Sequence, residues 1–379
     1  MKQLINLLYL SLFLFLVSSC EKDSKLYPLH HFYPAILNVN PSHGPDSTQV
    51  TITGIGFSAT AANDSVFFNG KLAKVLSASD TQLVAVVPTL AGSGNVIVET
   101  NGKAITGGKF AYDTTYRVSM VADSLSATFY LALDTTGNLF VSCYGDPYIH
   151  KISPQGIVSN WQPISFVTGI ALDSMANLYF AANVGGTTRI GKVSPAGVIT
   201  TIGFDTSSSI GQLALDRNGN TYLTTASNSG YGRIDKMTPD GQVSVVLDSL
   251  FNPSGLAIAN DGSIYCTNYS VPAYSNTKGV VTKISPSGAV STFAHINYGG
   301  YAGITLDAGN TLYVTNFDQM WALGSVVRVT PDGTTTKLTS GNLMFPTGIV
   351  QDKNGNFYVT QMNSSPGVAF GSVIKMTMH

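Results

Sequence analysis

From residue 34 onward the chain runs in short stretches where apolar and polar residues alternate, with Gly, Pro, Asn or Asp interrupting about every 8–12 positions. A period of two puts successive side chains on opposite faces of an extended strand, so each stretch predicts a half-buried β-strand. Within 34–113 these are Pro34-Ala-Ile-Leu-Asn-Val-Asn-Pro41, Val50-Thr-Ile-Thr-Gly54-Ile-Gly56-Phe57, Ser65-Val-Phe-Phe-Asn-Gly70, Leu72–Val75, Gln82–Val87 and Asn95–Glu99. That is the pattern of a small β-sandwich.

Beyond residue 113 the pattern repeats. A hairpin signature occurs six times, as in Leu133-Asp134-Thr-Thr-Gly-Asn-Leu-Phe140 and Leu215-Asp216-Arg-Asn-Gly-Asn-Thr-Tyr222. Its aromatic recurs at Phe140, Tyr179, Tyr222, Tyr265, Tyr313 and Tyr358. Asp in such a turn bonds nearby backbone amides, and Gly or Asn accepts positive φ. A second signature follows each of the first five, as in Lys151-Ile-Ser-Pro-Gln-Gly156 and Arg328-Val-Thr-Pro-Asp-Gly333, with Pro and Gly placed for a second tight turn. Four strands per repeat of about 45 residues predicts a propeller blade, and six repeats predict six blades. The last repeat stops inside its third strand at Lys375–His379, while an orphan strand, Arg117-Val-Ser-Met-Val-Ala122, precedes the first. That strand is expected to complete the last blade and close the ring.

The order P-x-x-G, V-T-I-x-G-x-G-F, V-x-F-N-G, T-x-L-x-A-x-V-P, G-x-V-x-V across 34–113 resembles the IPT/TIG immunoglobulin-like family, which likewise lacks the Cys…Trp…Cys core of antibody domains. The six repeats resemble NHL repeats. The expected fold is all-β: an immunoglobulin-like β-sandwich over 34–113, then a six-bladed β-propeller over 114–379 closed by its own N-terminal strand.

The first 33 residues read differently. Lys2 and the apolar run Ile5–Val17 form a processing signal too short to span a bilayer comfortably. Val17-Ser18-Ser19-Cys20 resembles the lipobox of bacterial lipoproteins, which implies cleavage after residue 19 and acylation of Cys20. Glu21-Lys22-Asp23 is similar to the surface-export signal of some Gram-negative lipoproteins, so the expected location is the outer-membrane surface, with a periplasm-facing placement the other reading. Residues 20–33 form a polar tether, and its His30-His31 pair reads as linker.

Charged residues are 11% of the chain, against roughly 25% in an average protein, and the formal net charge is −1. No Lys/Arg run occurs, so a nucleic-acid partner is excluded, because counterion release needs a clustered basic face. Membrane contact is expected through the lipid anchor only, and the chain is expected to be a monomer. Cys143 and Cys266 fall three blades apart, too far for the Cα spacing of about 7 Å that a disulfide tolerates.

Tight a–b and c–d turns share one side of a propeller. The longer b–c loops and d–a crossovers share the other, where function concentrates. The expected ligand-binding residues lie there: the rings of Tyr144, Tyr231, Tyr269, Tyr274, Tyr298 and Trp321, the amides of Asn183, Asn268 and Asn316, and the carboxylates of Asp146 and Asp318. Trp161 is placed in a d–a connection on that side. Rings that stack on apolar C–H patches, beside amides that bond hydroxyls, suit a glycan; an envelope protein is the alternative partner. The resemblance to NHL-type propellers also implies a metal-dependent lactonase or lyase. Against that reading, the repeats contain no Glu, and His150, His295 and His379 share no ligand-like spacing and read as solvated surface residues. An Asp/Asn calcium site stays open. No catalytic residue, metal ligand or cofactor is assigned, and a non-catalytic binding protein is expected.

Overall fold

The computed structural model describes residues 33–205, 209–226, 230–269, 279–296, 303–317, 323–338, 343–365 and 368–378. The chain divides into two compact units between Asp113 and Thr114. Cys20 and its lipobox lie outside the described residues.

The N-terminal unit is a single path of eight strands. In spatial order they are Ala35–Asn40, Gln49–Ile55, Gln82–Val86, Lys71–Ala78, Asp64–Phe68, Gly94–Thr100, Lys103–Tyr112 and His43–Gly44. Gln49–Ile55 buries Val50, Ile52 and Gly54 and leaves the residues between them more exposed, as a period of two requires. The two faces of the sandwich are joined into a barrel-like sheet because Lys71–Ala78 pairs on both sides, Ala73 opposite Val66 and Val75 opposite Ala85. Phe68 and Phe110 meet edge-on at 5.0 Å in its core.

The second unit is a six-bladed propeller of antiparallel blades, with strands a to d numbered outward. Blade 1 comprises Thr128–Leu133, Leu139–Cys143, Ile149–Ile152 and Val158–Gln162. Strands a to c are Val167–Leu172, Leu178–Val184 and Thr187–Val193 in blade 2, and Ser209–Leu215, Thr221–Ala226 and Tyr231–Met237 in blade 3. They are Leu256–Ile258, Ile264–Tyr269 and Gly279–Ile284 in blade 4, and Ile304–Leu306, Leu312–Phe317 and Leu323–Val329 in blade 5. Blade 6 takes strands a to c from Pro346–Gln351, Phe357–Ser365 and Val368–Met378, and strand d from Tyr116–Leu125. Ser119 opposes Lys375 and Val118 opposes Met376, so the early strand closes the ring as the sequence predicts.

The repeated residues act as turn locks. Asp134 Oδ1 accepts the N–H groups of Thr136 and Asn138 at 2.9 and 2.8 Å, and Asp216 does the same for Asn218 and Asn220 at 2.9 Å each. Burial pushes both carboxyls up, but the bonds from Asn138 and Thr136, and from Asn220, Asn218 and Tyr222, outweigh it and hold them below the usual range. Blade 4 has Ala259 in that place, and there Asp261 accepts from the Ser263 N–H at 2.8 Å instead. The Lys of the second signature lies over the strand-b aromatic, Lys151 at 5.6 Å from Phe140 and Lys283 at 5.4 Å from Tyr265.

The axis is closed by side chains. At the innermost strand-a position four blades carry Gly169, Gly255, Gly303 and Gly348, and at Gly169, Gly303 and Gly348 the absent Cβ lets a neighbouring backbone approach. The other two carry Tyr130 and Gln212. Tyr130 spans from blade 1 to blade 4, its hydroxyl 3.2 Å from Ser254 Oγ. Gln212 bonds through its side-chain amide: Oε1 accepts from the Leu256 and Ile304 N–H groups at 3.3 and 3.2 Å, and Nε2 donates to the Ile304 carbonyl at 3.2 Å. Around them, strand-b hydroxyls sew blade to blade: Ser142 donates to the Thr168 carbonyl at 2.6 Å, Thr224 to Ser254 at 2.7 Å, Thr315 to Thr347 at 2.6 Å and Thr360 to Phe129 at 2.9 Å. Blade 2 has Ala181 in this place.

Cys143 and Cys266 are free and buried in different blades. Burial pushes both thiols up to about 12 from the ordinary 9.0. Alkylation followed by peptide mapping should label neither at pH 8 until denaturant is added. A raised pKa favours the neutral thiol in the fold, so this contribution is intact below pH 9.0 and is lost as pH climbs toward 12, where the unfolded chain ionises first. Urea midpoints measured across that window should fall with rising pH.

Candidate functional site

Among the described residues of the variable-loop face, open space lies off the axis, between blades 1 and 2. It is a cleft of about 480 Å³. Tyr144 forms one wall from the b–c connection of blade 1, held there by its N–H, which donates to the Ala127 carbonyl at 2.8 Å, and followed by Gly145 at φ 80°. The d–a crossover Pro163–Phe166 and Asn183, Val184, Gly185 and Arg189 of blade 2 complete the lining. Asn183 shapes the turn: its N–H donates to the Phe166 carbonyl at 3.1 Å and its Oδ1 accepts from the Gly186 N–H at 3.3 Å.

Two rings line the opening. Tyr144 is 52% and Phe166 47% exposed, 6.0 Å apart and edge-on, and Phe129 backs Tyr144 at 5.9 Å. Phe166 sits at φ 54°, a left-handed conformation that a bulky side chain rarely adopts and that clusters at ligand sites. Arg189 supplies the charge. Its guanidinium carbon lies 5.1 Å from the centre of the Phe180 ring, its Nε is buried without a hydrogen-bond partner, and no acidic residue lines the cleft.

Of the expected binding residues, the structure brings Tyr144 and Asn183 into this cleft. Asp146, two residues on from Tyr144, is turned to local work: its Oδ1 accepts from the Tyr148 N–H at 2.9 Å and its Oδ2 from Ser126 Oγ at 3.2 Å. Tyr231 stands apart on blade 3, half exposed and packed at a tilt 4.5 Å from Phe251. Asn268 is a correction. It is 5% exposed and its Oδ1 accepts from Thr282 Oγ1 at 2.7 Å, so it serves the core, because the end of strand b is covered by strand c. Asn316 is half-buried, with a buried Oδ1 that has no partner. Tyr269 ends strand b of blade 4, and its side chain is outside the described residues, as are Tyr274, Tyr298, Asp318 and Trp321.

Two further placements differ from expectation. Trp161 belongs to strand d, Val158–Gln162, and packs edge-on against Phe140 at 4.7 Å. His150 is 7% exposed rather than solvated, its Nε2 3.1 Å from Asp146 Oδ2, because strand c of blade 1 lies between two others. His295 is exposed as expected, and His379 lies outside the described residues. Phe166 and Arg189 were not singled out from the sequence.

The IPT/TIG domain family matches residues 34–118. The N-terminal unit is an IPT/TIG domain. The last residues of that match run into Tyr116–Leu125, the strand that the propeller uses for closure. No curated protein matches the sequence. Among solved structures, the whole chain is similar to an auxiliary nutrient binding protein from Bacteroides ovatus, at 14% identity and TM-score 0.51, covering 91% of this chain and 98% of that one. Its larger part is similar to a gluconolactonase from Xanthomonas campestris, at 15% identity and TM-score 0.55, covering 70% of this chain and 90% of that one. It is also similar to the PQQ-bound aldose sugar dehydrogenase of Streptomyces coelicolor, at 15% identity and TM-score 0.54, covering 69% and 99%. These likenesses establish the fold: an IPT/TIG domain followed by a six-bladed propeller.

Proposed function

We propose that this protein is a non-catalytic binding protein, anchored through Cys20 at the bacterial outer-membrane surface, that captures a glycan on the variable-loop face of its propeller. The IPT/TIG domain stands between anchor and propeller in the sequence. The observation that carries the reading is the cleft beside Tyr144 and Phe166: two half-exposed rings, an amide and a guanidinium on a rigid scaffold, within the size range of small-ligand sites. The whole-length likeness to an auxiliary nutrient binding protein supports it.

Binding of the purified chain to an array of glycans and cell-envelope fractions tests this. A stacking ring contributes on the order of 1 kcal/mol, so Tyr144→Ala should weaken glycan binding about fivefold, with little change in Tm because the ring is half exposed. Chelator should leave binding unchanged. The likeness to a gluconolactonase gives the competing reading its weight, and chelator-sensitive turnover of a lactone or polysaccharide would establish it in place of capture. Retention of an envelope protein and no sugar would favour the interaction scaffold.

A further inference from the structure

Blades 2 and 3 carry the same stretch of strand c with one informative difference. Blade 3 reads Arg233-Ile234-Asp235-Lys236, and blade 2 reads Arg189-Ile190-Gly191-Lys192. The two arginines occupy equivalent register positions, Arg189 opposite Ala182 and Arg233 opposite Thr225 on strand b. In blade 3 the charge is answered within the chain: Arg233 Nε donates to both oxygens of the fully buried Asp235 at 2.8 Å. In blade 2 the answering carboxylate is missing. Gly191 stands there because the Phe180 ring fills the space, and a Cβ on residue 191 would lie 2.4 Å from Phe180 Cζ. Blade 3 has the smaller Leu223 opposite Asp235.

The exchange leaves Arg189 held but unanswered. The Phe180 ring supports the guanidinium from one face, which leaves the hydrogen-bond donors along its edge uncommitted. Nε is sealed, so the donors left for a ligand are the two Nη groups of a residue that lines the cleft. Among the described residues no carboxylate pairs with Arg189. A positive charge in a cleft without acidic lining, beside rings that suit a pyranose, is a site for an anionic sugar.

We infer that Arg189 recognises the carboxylate of an acidic sugar, a uronate unit stacked near Tyr144 and Phe166. This rests on the glycan-capture reading and narrows it to a ligand class. The carboxylate is favoured over other anions because the equivalent arginine, Arg233, is already satisfied by one.

The test is titration calorimetry of the full chain in detergent with a galacturonate oligosaccharide and with the same oligosaccharide after reduction of its carboxyl groups. The acidic form should bind at least tenfold tighter, and the difference should shrink as salt is raised. Arg189→Gln should abolish that preference, so that the two forms bind with equal affinity. Arg189→Lys keeps a cation over Phe180 and guards against misfolding; it should recover only part of the preference, since an ammonium lacks the planar fork. Equal binding of the two forms, or full preference in Arg189→Gln, overturns the inference while leaving glycan capture standing. Arg189-dependent binding of a sulfated oligosaccharide but of no uronate overturns the carboxylate assignment. Failure of every glycan to bind overturns both readings.

Discussion

Tyr130→Ala should destabilise the propeller by about 4 kcal/mol, the cost of emptying a large buried aromatic site. Tyr130 is 2% exposed and reaches across the axis to Ser254, so its removal takes a filler from the centre of the ring and leaves a hydroxyl of blade 4 short of one neighbour. Tyr130→Phe keeps the filler and loses one hydrogen bond, and should cost only about 1 kcal/mol. Thermal melts of the two variants separate packing from bonding. If both fall equally, the hydroxyl and not the ring secures the axis.

Gly348→Ala should cost about 3 kcal/mol, the upper part of the range for overpacking. A Cβ there would lie 2.8 Å from Tyr130 Cα and 2.9 Å from the Phe129 carbonyl oxygen, both backbone atoms of the next blade that no rotamer change can move aside. The damage falls on the contact between the last blade and the first. Urea denaturation should show a lowered midpoint, and an unchanged one would mean that blade 6 can slide outward without loss.

The architecture was legible because blades are built from turns, and turns need particular residues. Asp134, Asp216 and their equivalents each accept the amides that close the first hairpin, work that only a few short polar side chains can do in so tight a loop. The closure was legible because the two halves of blade 6 are the unmatched remainders of a repeat. The site was legible in part. Tyr144 and Asn183 stand where chain topology puts a b–c loop, but position along a strand does not report which end the next strand covers, and so Asn268 was assigned to the face although it is buried. His150 was misread for the same reason. Arg189 carried a usable signal, the contrast of Arg-Ile-Gly-Lys with Arg-Ile-Asp-Lys, which emerges only when departures from the repeat are weighed as heavily as its matches. Tyr130 and Gln212 carried a similar one, as the two large residues among four glycines.

The way the ring is clasped also governs how the protein can be made. Tyr116–Leu125 leaves the ribosome early but has its partner in Val368–Met378, so it waits with an open edge while the blades between are synthesised. Unpaired strand edges invite association with other chains, and pairing across so long a sequence separation is slow. The ring is therefore complete only when the earliest blade segment meets the last one.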